Sequence, residues 1–348
     1  MTIDERQQQS ETWKTIQRQP DDLRAMLSRE GENVAEAARI LENARRILTV
    51  GIGSSHHASQ VGAWLLREAG KDALAVHAFD FVHYPEQYPV GTSDAIVLFG
   101  HTGSTGITRG ALDRLVMAGV PVVAVGSTQA EHPGAAVILR TTEPETAATY
   151  TSSHLCAMAI VARVAAELGA PLAEALDHLP EQVAEILSRQ HEIWPMAERI
   201  EGKRIYAYGA GPNEITATEL MIKVREAAFH RIDGMAAEQF LHGPTVSFNR
   251  GDVAIVINVE GPGRERVEAI ARVNAAMGGD VLPVGKAIPG LDVVPFALPD
   301  VPEAISPLLA VVPMQLLATR LSAIRGTNPD KFRMDNPTYE AAFRKVGF

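Results

Sequence analysis

A repeat constrains the fold of this chain more than any other feature. Arg46-Ile47-Leu48-Thr49-Val50-Gly51-Ile52-Gly53 is matched further on by Arg204-Ile205-Tyr206-Ala207-Tyr208-Gly209-Ala210-Gly211. At the same offset Asp94-Ala95-Ile96-Val97-Leu98-Phe99 lies over Asp252-Val253-Ala254-Ile255-Val256-Ile257, and Val122 to Gly126 lies over Val281 to Gly285 one residue further. Each is a short apolar run rich in β-branched residues that ends in Gly or a polar turn, as the buried strand of a parallel sheet reads. Helical stretches separate them: Ser54 to about Glu68, Thr105 to Ala118 and Thr151 to Leu168, then Asn213 to Phe229, Gly263 to Ala276 and Glu303 to Ile324. Strand and helix alternating in this way predict an α/β protein with two tandem, doubly wound parallel-sheet domains.

The expected division is a helical extension over 1–40, a first domain over 41–190, a second over 191–328 and a tail over 329–348. The segment Pro171 to Ile200 between the halves reads as mostly helical. The first forty residues read as helices outside the first sheet, with Asp21-Asp22 as an N-cap signal.

Composition narrows the function classes. Of 348 residues, 46% are hydrophobic and 21% charged, which excludes a mostly disordered chain. A net charge of −10 without a basic run argues against a nucleic-acid backbone or an anionic membrane as partner. Cys156 is the one cysteine, so an internal disulfide and a multi-cysteine metal site are excluded. The N-terminus has no apolar signal core. The apolar run Ile305 to Ala318 reads as too short and too interrupted, by Pro307 and Pro313 among others, to span a bilayer. A cytoplasmic protein is expected.

In open α/β sheets ligands sit beyond the carboxyl ends of the strands, near helix N-termini. After the first strand comes Gly51-Ile52-Gly53-Ser54-Ser55-His56-His57, and after a neighbouring one Gly100-His101-Thr102-Gly103-Ser104-Thr105-Gly106. Glycines allow close backbone approach, and hydroxyls with free N–H groups suit an anion. Either turn alone is equally a capped helix start; two on adjacent strands of one half suggest a phosphate cradle. Neither is a dinucleotide fingerprint or a P-loop. The equivalent turn of the second half, Val259-Glu260-Gly261-Pro262-Gly263, lacks hydroxyls and carries Glu260, so one phosphate site is expected.

The paired turns resemble those of sugar isomerase (SIS) domains, which bind phosphosugars. Glu143 to Ser152 resembles the segment that lines the sugar site. Lys223-Val224-Arg225-Glu226 and Ala237-Glu238-Gln239-Phe240-Leu241-His242-Gly243-Pro244 resemble the second-domain motifs of the isomerase half of glucosamine-6-phosphate synthase and its stand-alone deaminase and deglycase relatives. The resemblance runs from about residue 40 to 335. It implies that Ser55, His101, Thr102 and Thr105 hold phosphate, with Gly103 and Ser104 in the same loop. Ser54 would touch the sugar, Ala148 and Tyr150 would line its pocket, and Lys223 would lie beside them. Glu226 would move the proton between C1 and C2. His242 would help open the ring, reaching into a neighbour's site in a homodimer.

These roles agree with the residues' chemistry, since a carboxylate can shuttle a proton through an enediol or enolamine and a histidine titrates near neutrality. On the residues alone, Glu226 and Lys223 could equally be a surface ion pair, and His242 a loop residue. His56, His57, His154 and His230 read as structural or surface groups, and Cys156 as core. No metal or organic cofactor is expected.

Three departures from the family pattern stand out. Gly100 and His101 replace the usual Ser and Gln; His101 could donate to phosphate when protonated, or select another substrate. The imine-forming tail lysine has no counterpart, although Lys331 and Lys345 lie nearby in sequence. No glutaminase domain precedes the repeat, so no glutaminase activity is expected. The resemblance therefore implies isomerisation coupled to deamination or deglycation of an amino-sugar phosphate. Plain phosphosugar isomerisation and a non-catalytic phosphosugar sensor are the alternatives.

Overall fold

The computed structural model describes residues 1–103 and 106–346. Four helices come first: α1 (Ile3–Gln9), α2 (Glu11–Gln17), α3 (Gln19–Arg29) and α4 (Gly31–Glu42). The first half runs β1 (Arg46–Gly51), α5 (Ser54–Glu68), β2 (Ala73–His77), α6 (Ala78–His83), β3 (Asp94–Phe99), α7 (Gly106–Met117), β4 (Val122–Gly126), β5 (Val137–Arg140) and α8 (Ser152–Glu167). Helices α9 (Ala173–Asp177), α10 (Leu179–Ser188) and α11 (Trp194–Ile200) connect the halves. The second half runs β6 (Ile205–Gly209), α12 (Asn213–Ala228), β7 (Ile232–Ala236), α13 (Ala237–Leu241), β8 (Val253–Asn258), α14 (Arg264–Ala276), β9 (Asp280–Gly285) and α15 (Ser306–Arg325), and the tail carries α16 (Pro337–Phe343).

The strands form two parallel sheets, ordered β2-β1-β3-β4-β5 and β7-β6-β8-β9. The first four positions correspond one to one. Among the described residues the second sheet has four strands, and an isolated parallel bridge between Val284 and Phe296 lies beyond β9 in the place of a fifth. Alternation along each strand feeds two layers. Ile47 of β1 and Ile205 of β6 point into one apolar core shared by both halves. Leu48 and Val50 pack outward under α6 and α7, and Tyr206 and Tyr208 pack outward with Phe240 of α13. Each fully buried aliphatic side chain contributes about 1.5–3 kcal/mol of burial free energy, so the shared core ties the two sheets into one body.

Three expectations need correcting. Helices α3 and α4 do lie against the first half, but α1 and α2 pack on α15 of the second. Asp21 and Asp22 fall in the first turn of α3 rather than at its N-cap, which is Arg18. There Asp22 pairs with Arg18 at 2.9 Å and accepts the Ser152 hydroxyl at 2.6 Å, so it tethers α3 to α8. The apolar run around Pro313 is not interrupted: α15 continues through Pro313 for 20 residues. Pro307 lies in the first turn, where no N–H is needed. By length and apolarity α15 meets the requirement for a membrane span, but it is enclosed by the rest of the chain.

Candidate active site

The two hydroxyl-bearing turns converge because β1 and β3 are neighbours at the point where strand order reverses. Gly51 must be glycine: a β-carbon there would lie 2.3 Å from the Ser55 carbonyl oxygen. Gly103 has φ of 73°, and a β-carbon on it would meet the Glu131 carbonyl oxygen at 2.2 Å. These two positions let the turns fold tightly over the strand ends. The resulting cavity of about 400 Å³ is lined by Ser54, Ser55, His101, Thr102, Ala148, Tyr150, Lys223 and Glu226. Eight residues singled out in the sequence thus meet in one place. Ser104 and Thr105 lie outside the described residues. His242 is not among the lining groups. It ends α13, is 70% exposed and faces Glu238 at 3.5 Å.

His101 is neutral rather than cationic. Burial, aided by the nearby Arg18 charge, lowers its pKa to about 4. Its Nε2 accepts the Glu145 backbone N–H at 3.2 Å, which leaves the proton on Nδ1. Its ring leans on Tyr150 with centroids 4.8 Å apart. It can therefore offer one neutral donor, and the expectation of a protonated donor is corrected at neutral pH.

Opposite the turns, α12 presents Glu219, Lys223 and Glu226, spaced so that they share one helix face. Lys223 donates to Glu226 Oε2 at 2.6 Å and lies 3.5 Å from Glu219 Oε1. Lys223 and Glu219 are buried, and Glu226 is 24% exposed at the cavity wall. The alternative of a surface ion pair is excluded. Burial lowers the Lys223 pKa, but Glu226 and Glu219 outweigh it and hold the group above its usual value, as an ammonium. For Glu226, burial dominates over the pull of Lys223 and raises the carboxyl above the ordinary range.

Sequence reasoning missed the third layer. Glu219 takes a 2.6 Å hydrogen bond with His57 Nδ1 from α5, and His154 of α8 stands 4.0 Å away. Burial would raise the Glu219 carboxyl, but His154, Lys223 and His57 together hold it well below the usual carboxylate range. His57 and His154, read as structural, are thus the partners of the residue that anchors Lys223. The available signal was the spacing of Glu219 four residues before Lys223. Cys156 is buried, as expected.

The tail is strapped to the segment that carries Ala148 and Tyr150. Ala148 N–H donates to the Asp330 carbonyl at 3.1 Å and the Thr149 hydroxyl to the Pro329 carbonyl at 2.7 Å. The Asp330 carboxylate caps α2 through the Glu11 and Thr12 N–H groups, both at 2.9 Å. This brings Phe332 into the cavity wall, whereas Lys331 and Lys345 are exposed and line no part of it. In the second half the corresponding cradle is filled from within. A β-carbon on Gly261 would fall 2.3 Å from Glu303 Oε1, and one on Gly211 3.0 Å from it. Glu260, expected to repel phosphate there, is instead paired with Arg264 at 2.6 Å. It is the Glu303 carboxylate, not Glu260, that lies against the glycines of these turns.

No family model matches the chain. It is 27% identical over 334 residues to the isomerizing glutamine–fructose-6-phosphate aminotransferase of Pyrococcus horikoshii, covering 92% of this chain and 56% of the relative. The chain is a homologue of the isomerase (SIS) portion of such aminotransferases. It therefore spans about half the length of the curated relatives it matches. Among solved structures, the C-terminal domain of glucosamine-fructose-6-phosphate aminotransferase from Francisella tularensis superposes with a TM-score of 0.82 at 16% identity, over 92% of this chain and 98% of that one. Glucosamine-6-phosphate deaminase from Thermotoga maritima superposes with a TM-score of 0.78 at 20% identity, over 92% and 97%. These two establish the fold, an α/β architecture with paired parallel sheets.

Proposed function

We propose that this SIS protein is an enzyme that moves a proton between C1 and C2 of an open-chain amino-sugar phosphate and releases the amine. The observation that carries this reading is the Lys223–Glu226 pair facing the same cavity as the two hydroxyl-bearing turns. Ser55, His101 and Thr102 hold the phosphate through hydroxyl and neutral imidazole donors, with the N-terminus of α5 behind them. Ser54, Ala148 and Tyr150 flank the sugar. The carbonyl carbon and its neighbour then lie toward α12.

A carboxyl held above its ordinary range by burial is a better proton acceptor than an ordinary carboxylate and can return the proton, which suits Glu226 as the general base and acid. The Lys223 ammonium stabilises the oxygen that becomes negative when the proton leaves carbon. Held protonated, Lys223 is not poised to form an imine, so nitrogen already on the sugar fits better than nitrogen supplied to it. With nitrogen on C2 of an aldose, the C2 proton leaves, the enolamine is reprotonated at C1, and the C2 imine takes up water and releases ammonia to give a ketose phosphate. With nitrogen on C1 of a ketose, the proton moves from C1 to C2 and the hydrolysed C1 imine gives an aldose phosphate and an amine. One water enters and one amine leaves in either case, with no oxidant. The protein acts in the cytoplasm as a homodimer, and the exposed His242 serves the partner's site by opening the sugar ring.

Proton NMR in deuterated water tests the reading on glucosamine 6-phosphate and 1-amino-1-deoxyfructose 6-phosphates. Deuterium at C1 or C2 with released amine supports it. Exchange without amine release assigns plain isomerisation, and binding without exchange a sensor. Thr102→Ala is expected to weaken phosphosugar binding roughly ten- to a hundredfold, the worth of one hydrogen bond to a charged group. The unphosphorylated sugar should bind the variant as it binds the wild type. Calorimetric titration of both ligands checks this, and equal losses would remove Thr102 from the phosphate site.

A further inference from the structure

A second cavity of about 630 Å³ adjoins the first at Glu226 and is lined from the end of α12, the turn into β7 and the tail. Glu226 and Phe332 line both cavities. In a chain of net charge −10, this one is bordered by Arg225, Arg231 and Arg333. Arg225 is engaged: it donates to the Ile232 carbonyl at 2.8 Å and lies 3.5 Å from Asp233. Arg333 stacks over the rings of Phe229 and Tyr339, at 4.3 and 4.7 Å, and bonds the Tyr339 hydroxyl. Arg231 makes no hydrogen bond or ion pair among the described residues and is exposed.

The backbone marks the same place independently. Phe229, Phe332 and Arg333 have φ of 52°, 46° and 60°, and they are the only non-glycine residues with positive φ among the described residues. All three line this cavity. A bulky side chain in the left-handed region is strained, and such residues collect at ligand clamps.

We infer that this cavity receives the nitrogen-borne part of the substrate, and that this part is an amino acid whose carboxylate meets Arg231. The inference rests on the proposed role of Glu226. With phosphate at the turns and C1–C2 at Glu226, a group on the sugar nitrogen extends past Glu226 into this space. A free guanidinium suits a carboxylate, which it can grip with two parallel hydrogen bonds. The rings of Phe229, Phe332 and Tyr339 cover the carbon skeleton beside it. Ammonia as leaving group would leave the whole cavity unused.

The test compares two 1-deoxyfructose 6-phosphates, one carrying glycine on the C1 nitrogen and the other glycinamide, which differ only in the carboxylate. Wild-type kcat/KM is expected to favour the glycine compound at least about tenfold, and Arg231→Gln to reduce that preference to about twofold or less. Equal turnover of the two compounds by the wild type, or an unchanged preference in the variant, overturns the subsite. Calorimetric Kd values for the same pair read the preference without turnover. Failure of Glu226 chemistry is thereby separated from failure of the cavity assignment. Sedimentation of wild type and Arg231→Gln addresses a competing occupant: a weakened dimer with no carboxylate preference assigns the cavity to a second copy of the chain and overturns the proposal.

Discussion

Glu226→Gln is expected to bind phosphosugar as the wild type does and to turn it over roughly 10²–10⁴-fold more slowly, the usual contribution of one general acid–base group. The substitution is nearly isosteric. The Gln side-chain oxygen can still accept from Lys223, which also keeps Glu219 at 3.5 Å, so the ammonium stays in place. What disappears is the carboxylate proposed as the proton acceptor. Because burial raises the Glu226 carboxyl, the acid limb of the wild-type kcat/KM profile should lie above the ordinary carboxylate pKa of about 4.3. In the proposed mechanism the base form makes the first proton transfer, so activity should fall as pH drops through that raised value. The variant's residual rate should lack this limb. Equilibrium binding paired with single-turnover rates across pH checks both statements. Unchanged turnover in Glu226→Gln would assign the proton transfer to another group.

Much of this site was legible because it follows from strand ends. The repeat located β1, β3, β4, β6, β8 and β9, and the turns after β1 and β3 held the glycines and hydroxyls that meet in the cavity. The short edge strands were not read. In β2 the pattern Ala73-Leu74-Ala75-Val76-His77 has Leu74 52% exposed, and β7 contains Asp233 and Gly234, so neither shows the continuous apolar run of a buried strand. The long-range polar partners were equally hidden. His57 and Glu219 lie in different halves, and no local spacing links α5 to α12. Likewise Glu303 lies far from Gly211 and Gly261 in sequence, and only the shared core places its carboxylate against them. Periodicity reports which face is buried; it does not report which distant polar group completes it.

Lys223→Met should expose how far the fold depends on this charge network. Lys223 is the one cation between two carboxylates, and it and Glu219 are buried. Met preserves the apolar stem and removes the charge. Glu219 is then left with His57 at 2.6 Å and His154 at 4.0 Å, and Glu226 loses its donor. Breaking a buried pair by removing one member costs about 3–5 kcal/mol, because the remaining charge stays out of water. The pH dependence follows from the directions of the shifts. Glu219 is lowered in the fold, so its contribution is present above the unfolded carboxylate pKa and is lost as pH falls below it. Lys223 is raised, so its contribution is present below its unfolded pKa and is lost as pH climbs past it. The contributions of Glu219 and Lys223 to wild-type stability are therefore both full between about pH 5 and pH 10. In the variant Glu226, raised by burial, also loses the lowering pull of Lys223 and takes a proton more readily than in the unfolded chain, so the variant gains stability as pH falls and the gap to wild type narrows. Urea unfolding at pH 7.5 and pH 4.5 measures that gap. The double variant Glu219→Gln, Lys223→Met removes the buried anion together with its counter-charge, while Glu226 keeps its access to solvent at the cavity wall. It should recover more than half of the loss, since the cost arises from the orphaned carboxylate and not from the missing ammonium. A double variant no more stable than Lys223→Met alone would instead show that the lysine stem, packed among α12 neighbours, carries the stability.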